Sequence, residues 1–132
     1  MAQYTRNAVY TKISAAIEDR FPGVYCTSRY VAKPPSYPAC YIHEIDRYRP
    51  IENVQLDFQD VQWESSFEIQ IISNKGGTAM SEAYSIMDVA RSAFSNLYYR
   101  QFSEATVDGT ETFTVIGRFR RVIGGGDVIP EV

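Results

Sequence analysis

The sequence predicts an α+β fold in which two helices pack on one face of a mainly antiparallel, mixed sheet of about five strands. Helical and strand patterns follow one another in the order helix, two strands, loop, strand, helix, two strands. The segment from Val61 to Ile72 alternates apolar and polar residues, which is typical of a strand with one buried and one solvated face. Two amphipathic helices over such a sheet would bury their own apolar stripes together with its dry face.

The first helix is predicted over residues 4–20, where apolar residues recur at three- and four-residue spacing. These residues are Val9, Ile13, Ala16, Ile17 and Phe21. The pair Pro22-Gly23 ends the helix. Residues 24–31 and 39–48 are then predicted to be strands on either side of a proline-rich loop over residues 33–38.

The two cysteines are predicted to remain free thiols. If residues 24–31 and 39–48 pair as a hairpin, Cys40 lies opposite Tyr30 and about 13 Å along the strand from Cys26. A disulfide requires Cα atoms within roughly 7 Å of each other. The expected separation therefore favours reduced thiols and folding inside a cell.

The second half of the chain begins with an acidic, aperiodic segment over residues 51–60, predicted to be an extended loop. A second helix is predicted from Thr78 to Tyr98, with an apolar stripe on one side. The pair Asp108-Gly109 is a strong hairpin signal between strands predicted over residues 102–107 and 110–123. The stripe of the second helix consists of Ala83, Met87, Ala90, Phe94 and Leu97.

The length of 132 residues is that of one domain. We predict a single domain over residues 1–123 and a flexible tail over residues 124–132, because Gly124-Gly125-Gly126 is ordered only at a high entropic cost. The chain is 45% hydrophobic and 22% charged, which excludes disordered, collagen-like and coiled-coil classes. No apolar run is long enough to cross a bilayer, and the first ten residues lack the apolar region of a secretory signal.

The composition favours protein contact over catalysis. The net charge of −3 argues against a protein that wraps nucleic acid by neutralising phosphates. Ten Tyr, seven Phe and one Trp stand against one His and two Cys. Many of the tyrosines fall in predicted loops or on solvated faces, and arginine outnumbers lysine, as is common at protein interfaces.

No catalytic set, metal site or cofactor is predicted, and the chain is not predicted to be an enzyme. His43 is the only histidine, and no nucleophile with an orienting carboxylate accompanies it in sequence. Glu44 and Asp46 are predicted to share one strand face without a third metal ligand. Two cysteines and one histidine cannot provide the four ligands of a structural zinc site. The Asn74–Thr78 turn lacks the spacing of a phosphate-binding loop.

Arg118 and Arg120 are predicted to emerge on one side of the last strand, within the densest basic cluster of the chain. Two alternatives remain for the partners of these arginines. They pair either with acidic residues of a neighbouring subunit, such as Glu64 or Glu68, or with acidic residues of the same sheet. The first alternative predicts a subunit interface formed by Arg118, Arg120 and the strand residue Tyr41.

In the order and residue patterns of its elements, the chain resembles the tail terminators of long-tailed phages. The resemblance covers most of the chain. It rests on the first helix ending at Phe21-Pro22-Gly23, the proline-rich turn before Tyr37-Pro38-Ala39-Cys40-Tyr41, the alternating strand, the second helix and the closing strand. Members of that family are α+β proteins that form hexameric rings on the tail tube and dock to the head connector.

The resemblance implies a structural virion protein that is assembled in the host cytoplasm. Its partners would be its own copies, the tail tube protein and the head–neck connector, with DNA passing through without tight binding and no membrane or cofactor involved. The solvated strand residues are candidates for the lumen wall: Gln62, Glu64, Glu68 and Gln70. The acidic loop and the tail are candidates for contact with tube or neck partners: Glu52, Asp57, Phe58, Asp60, Val128 and Ile129.

Three other classes of function stay open at this point. The chain could be another neck or head-completion protein, or an adaptor with a protein-binding sheet. It could also be a small ligand-binding or enzymatic domain, in which case His43, Tyr41 and Glu44 would form its site. A deep apolar pocket beside His43 and a shifted pKa of that histidine would favour this last class.

Overall fold

The computed structural model describes residues 4–48, 63–74, 78–124 and 127–129. These residues form two helices and a five-stranded sheet in the order β1-β2-β3-β5-β4. Only the β1–β2 pair is parallel, so the prediction of a mixed, mainly antiparallel α+β fold is confirmed. The elements are α1 (Arg6–Arg20), β1 (Tyr25–Thr27), β2 (Ala39–Tyr48), β3 (Trp63–Asn74), α2 (Ala79–Asn96), β4 (Arg100–Asp108) and β5 (Thr112–Ile123).

The core lies between the two helices and one face of the sheet. Helix α1 begins at the N-cap Thr5, whose side chain accepts a hydrogen bond from the Ala8 amide, and it contributes buried residues at four-residue spacing. The predicted stripe of α2 is buried in full, together with Ile86. On β3, Phe67, Ile69 and Ile71 face the helices, as their alternation predicts. The buried residues of α1 are Val9, Ile13, Ser14 and Ile17.

The prediction that the first two strands form an antiparallel hairpin is wrong, because β1 and β2 run parallel. Cys26 is the register partner of Cys40, and Tyr25 donates from its amide to the Pro38 carbonyl at 3.0 Å. The segment over residues 28–38 is long enough to carry the chain back to the start of β1, and its prolines cannot join a ladder. The separation that we expected between the two cysteines therefore does not exist.

The prediction that Glu44 and Asp46 share a strand face is also wrong. Glu44 is opposite Phe67, whereas Asp46 is opposite Ser66, and the register shifts between them. This irregularity inserts one extra residue into β2, and an insertion of that kind turns all later side chains to the other face. Glu44 therefore points towards the helices and Asp46 away from them.

Arg121 joins three distant parts of the chain on the helix side of β5. Its guanidinium donates to the Leu97 carbonyl at 3.0 Å and to Asp127 at 2.7 Å, and its Cζ lies 4.2 Å from the centre of the Tyr4 ring. Ile129 is buried at 4% exposure against α1. Residues 127–129, which fall within the predicted tail, thus fold back onto the domain.

Gly117 lies against the end of the Met87 side chain from α2, and Gly117→Ala is expected to lower the free energy of unfolding by about 1–3 kcal/mol. A Cβ at this position would lie 2.9 Å from the end of the Met87 side chain and 3.2 Å from the Phe119 ring. Met87 and Phe119 are fully buried, so the end of the Met87 side chain has to repack within the core to make room. Urea denaturation followed by circular dichroism measures the loss.

Gly23→Ala is the matched control, since a Cβ there meets nothing within 4 Å. It should leave the stability unchanged or slightly higher. Equal losses in the two variants would contradict the close approach of Met87 to Gly117.

Candidate interaction surface on the open face of the sheet

The face of the sheet opposite the helices, here called the open face, carries most of the polar residues that the sequence singled out. Three neighbouring strands present them in register: Tyr41 is opposite Gln70, His43 is opposite Glu68, and Glu68 is opposite Arg118. Because cross-strand partners point to the same side, their side chains meet directly.

Glu68 is the centre of this face. Its carboxylate accepts a hydrogen bond from Arg118 Nε at 2.8 Å and another from Gln70 Nε2 at 3.0 Å. His43 Nε2 lies 3.7 Å from the same carboxylate, and the His43 ring stacks on Tyr41 with centroids 4.2 Å apart. These neighbours leave the Glu68 side chain only 9% exposed.

The contacts shift the pKa of both acidic and basic partners. Burial works to raise the pKa of Glu68, but the hydrogen bonds from Gln70 and Arg118 outweigh it, so that the pKa lies below its ordinary value. Burial lowers the pKa of His43, and the nearby charge of Glu68 offsets only part of that effect. At neutral pH, His43 is therefore neutral and Glu68 is ionised.

A second polar group lies towards the end of the open face. Glu64 accepts a hydrogen bond from the Tyr48 hydroxyl at 2.9 Å and lies 3.7 Å from Arg120. The Arg120 guanidinium also covers the exposed Phe102 ring, with 4.5 Å between its Cζ and the ring centre. Arginine over an exposed aromatic ring, beside an exposed tyrosine, is a frequent composition at protein interfaces.

The structure brings together two sets of residues that the sequence analysis kept apart. The proposed subunit-interface residues Arg118, Arg120 and Tyr41 and the proposed lumen residues Glu64, Glu68 and Gln70 all lie on the open face. Arg118 and Arg120 pair with Glu68 and Glu64 of the same sheet, which is the second of the two alternatives left open above. The two acids are thus compensated within the chain, and Gln62 lies outside the described residues.

Of the residues expected to contact tube or neck partners, Glu52, Asp57, Phe58 and Asp60 lie outside the described residues. Val128 is 42% exposed and stays available for contact. Ile129 does not, because its side chain is buried against α1. An isolated apolar residue after a glycine run gives no local sign of where it will pack, so only the tertiary structure reveals this burial.

Sequence reasoning missed a buried polar network on the helix side of the sheet. Glu44 is bound by Arg47 Nη2 at 2.8 Å and by the Ser65 hydroxyl at 2.6 Å. Ser65 also lies 2.9 Å from the Tyr99 hydroxyl, and burial raises the pKa of Tyr99 to about 12. Arg47 completes the network by donating to the Tyr4 carbonyl at 2.7 Å. Ser65 is fully buried, which suits a structural role for the network.

The surroundings of His43 meet only one of the two conditions set for an enzymatic site. Its pKa is shifted, but the neighbouring cavity of about 350 Å³ is lined mostly by polar and charged residues, among them Arg6, Asn7, Ser28 and Arg29. His43 Nδ1 is buried without a hydrogen-bond partner among the described residues. The cavity next to His43 in the described part of the chain is therefore polar rather than apolar.

Comparisons with known proteins do not assign the chain to a family. No protein-family model matches the chain, and no curated protein sequence matches it significantly. Within the described residues, no group of three or more His, Cys, Asp or Glu side chains could hold a metal ion. Neither of the described helices is both long enough and apolar enough to span a bilayer.

His43 is expected to make folding less favourable as the pH falls from 7.5 to 5.5. Its pKa in the folded state lies below the ordinary value, which is about 6.5, so the unfolded chain takes up the proton first. Stability should therefore be constant above about pH 7 and decline through this window. Urea midpoints at half-unit pH steps measure the decline.

His43→Gln serves as the comparison, since the chain has no other histidine. The stability of His43→Gln should hardly change between pH 7.5 and 5.5. Most carboxylates titrate below this range and therefore contribute little to the pH dependence. The same slope in both proteins would mean that another group is responsible.

Proposed function

We propose that the chain is a ring-forming structural protein of a long-tailed phage, a tail terminator that caps the tail tube and joins it to the head or neck. The observation that supports this most is an open sheet that ends in unpaired edges on both sides among the described residues. The resemblance in element order points to the same class. A related role as another neck or head-completion protein would use the same surfaces.

The outer edge of β4 has no described partner strand along its whole length. β4 pairs with β5 on one side, and no described strand pairs with its other side from Arg100 to Asp108. Its residues are largely exposed, including Val107 at 54%. Long exposed edges are sites where a further strand can add, so this edge is suited to receive a second copy of the chain.

The opposite edge of the sheet is only partly covered. β1 pairs with β2 from Ala39 to Tyr41, and residues 42–48 of β2 have no partner on that side among the described residues. A contact between the β4 edge of one copy and the β2 edge of the next uses two different surfaces. Repeated contacts of this head-to-tail type close into a ring when the rotation between copies allows it.

Charge does not distinguish the two edges. Arg6 lies beside the free part of β2 and approaches Glu44 at 3.6 Å, whereas Glu104 on β4 binds Arg91 at 2.8 Å. The acids and bases at both edges are therefore paired within the chain. The proposed contact between copies rests on the strand edges themselves.

Within such a ring, the open face is the proposed lumen wall. Its acids are paired with arginines of the same sheet, so it would neither attract nor strongly repel the phosphates of passing DNA. The tail tube protein and the head–neck connector are the proposed partners, and the virion is the proposed location after assembly in the host cytoplasm. No cofactor or catalytic step is part of this proposal.

Light scattering of the purified chain, followed by negative-stain imaging of tails incubated with it, tests the proposal. We expect a ring, either in solution or at the end of the tail. Val107→Lys should abolish the ring without changing the stability of the monomer, because it places a charge on the β4 edge. Ser81→Lys is the control, since Ser81 is an exposed residue of α2 in the helix layer.

A chain that stays monomeric and never associates with tails would overturn the proposal. A ring that forms equally well with Val107→Lys would show that β4 is not the contact. The presence of capsid, portal and tail genes beside the gene for this chain would support the phage assignment, and their absence would count against it.

A further inference from the structure

We propose that Cys26 and Cys40 form a reversible dithiol–disulfide site, which low-molecular-weight disulfides such as oxidised glutathione convert to an intramolecular disulfide. This inference is independent of the proposed ring, because it rests on the pairing of β1 with β2 alone.

The strand register brings the two residues side by side. Cys26 and Cys40 are direct partners in the parallel β1–β2 pair. Neighbouring strands lie about 4.8 Å apart, which falls within the roughly 4.4–6.8 Å between Cα atoms that disulfides span. Partners in a parallel pair point to the same face of the sheet, and here that face is the one under α1.

The two thiols are in contact and differ in access to solvent. Cys40 is fully buried, whereas Cys26 is partly exposed and packs against the edge of the core. A hydrogen bond with Cys26, together with burial, raises the pKa of the Cys40 thiol well above its ordinary value. Cys26 is therefore the thiol that meets an external disulfide first. Cys40 lies beside it and attacks second, and its raised pKa makes this second attack the slower step, because only the thiolate is nucleophilic.

The short strand β1 gives the pair room to adjust. β1 has three residues and lies at the edge of the sheet, paired only with β2 among the described strands. Movement of β1 at this edge disturbs one strand pair rather than the centre of the sheet. The pair can therefore adjust towards disulfide geometry without moving β3 or β5.

The reaction balances in two exchange steps. The Cys26 thiolate attacks one sulfur of oxidised glutathione, which forms a mixed disulfide and releases one glutathione thiolate. The Cys40 thiolate then attacks the Cys26 sulfur and releases the second glutathione. The protein loses two protons and two electrons, and one oxidised glutathione becomes two reduced molecules.

The test uses the full chain, incubated without denaturant in buffers of graded oxidised-to-reduced glutathione ratio and then quenched with an alkylating reagent. We expect oxidised protein that carries no glutathione, has no thiol left to alkylate and is lighter by roughly 2 Da, the mass of two hydrogens. Excess dithiothreitol should restore both thiols. Cys40→Ala should stop at a stable mixed disulfide on Cys26.

Three results would overturn the proposal. The folded wild-type chain could keep glutathione on Cys26 while Cys40 stays reduced, it could form disulfides only between copies, or it could remain fully reduced in excess oxidised glutathione. Cys26→Ser, which changes the more exposed residue, keeps the test valid if Cys40→Ala does not fold. In that variant, Cys40 should react far more slowly than Cys26 does in the wild type, because it is buried.

Discussion

Glu44→Ala is expected to lower the free energy of unfolding by roughly 1–3 kcal/mol, the range found when a buried hydrogen-bonding group loses its partner. The Glu44 side chain is 4% exposed and receives hydrogen bonds from Arg47 and Ser65. Without the carboxylate, Arg47 keeps the Tyr4 carbonyl and Ser65 keeps the Tyr99 hydroxyl, but both lose their hydrogen bonds to Glu44. Urea denaturation at pH 7, followed by circular dichroism, measures the change.

Asp46→Ala is the matched control for Glu44→Ala. Asp46 lies two residues further along β2, on the other side of the register shift, and it is exposed. Its replacement should change the stability by no more than about 0.5 kcal/mol. Similar losses in both variants would contradict the assignment of the two carboxylates to opposite faces.

Phe94→Ala is expected to cost about 3–5 kcal/mol through the cavity that it leaves in the core. The fully buried Phe94 ring stacks on Phe119 with centroids 4.3 Å apart, and it contacts Phe67 and Tyr99 at 5.9 and 5.5 Å. No single neighbour can fill the space, because each of them is held by β3, β5 or the segment after α2. A thermal melt and a urea titration should report the same loss.

Phe102→Ala is the aromatic control for Phe94→Ala. Phe102 is 42% exposed, and its described ring contact is with the Arg120 guanidinium. Removing an exposed contact of this type costs about 1 kcal/mol or less. If Phe102→Ala were as damaging as Phe94→Ala, the core would not be centred on the α2 stripe.

The parts of the fold that depend on periodicity could be predicted from the sequence. The alternation that ends at Ile72 indicated β3, and the apolar spacing of α1 and α2 indicated which residues would be buried. Strand direction could not be predicted in the same way, because residues 24–31 have the same pattern whether they run parallel or antiparallel to β2. Only the path of the loop over residues 28–38 decides between the two.

The candidate surface was predictable in composition but not in pairing. Alternation placed Glu68 and Arg118 on solvated strand faces, yet they are 50 positions apart and meet only through the β3–β5 register. Glu44 follows the same alternation as Cys40 and Ile42, and the extra residue after it turns Arg47 to the same side of the sheet. The residues on both sides of this shift are polar or exposed, so no apolar pattern marks it in the sequence. The pairing of Glu44 with Arg47 is therefore recognised only from the contacts in the structure.

The guanidinium of Arg121 has a consequence for how the domain opens. The ends of most domains fray independently and at little cost. Here Tyr4, the carbonyl that follows α2 and Asp127 all contact one side chain. Detachment of any one of them removes part of what holds the others. Amide hydrogen exchange near Tyr4 and near Leu97 should therefore respond together, as one cooperative unit, rather than as two loose ends.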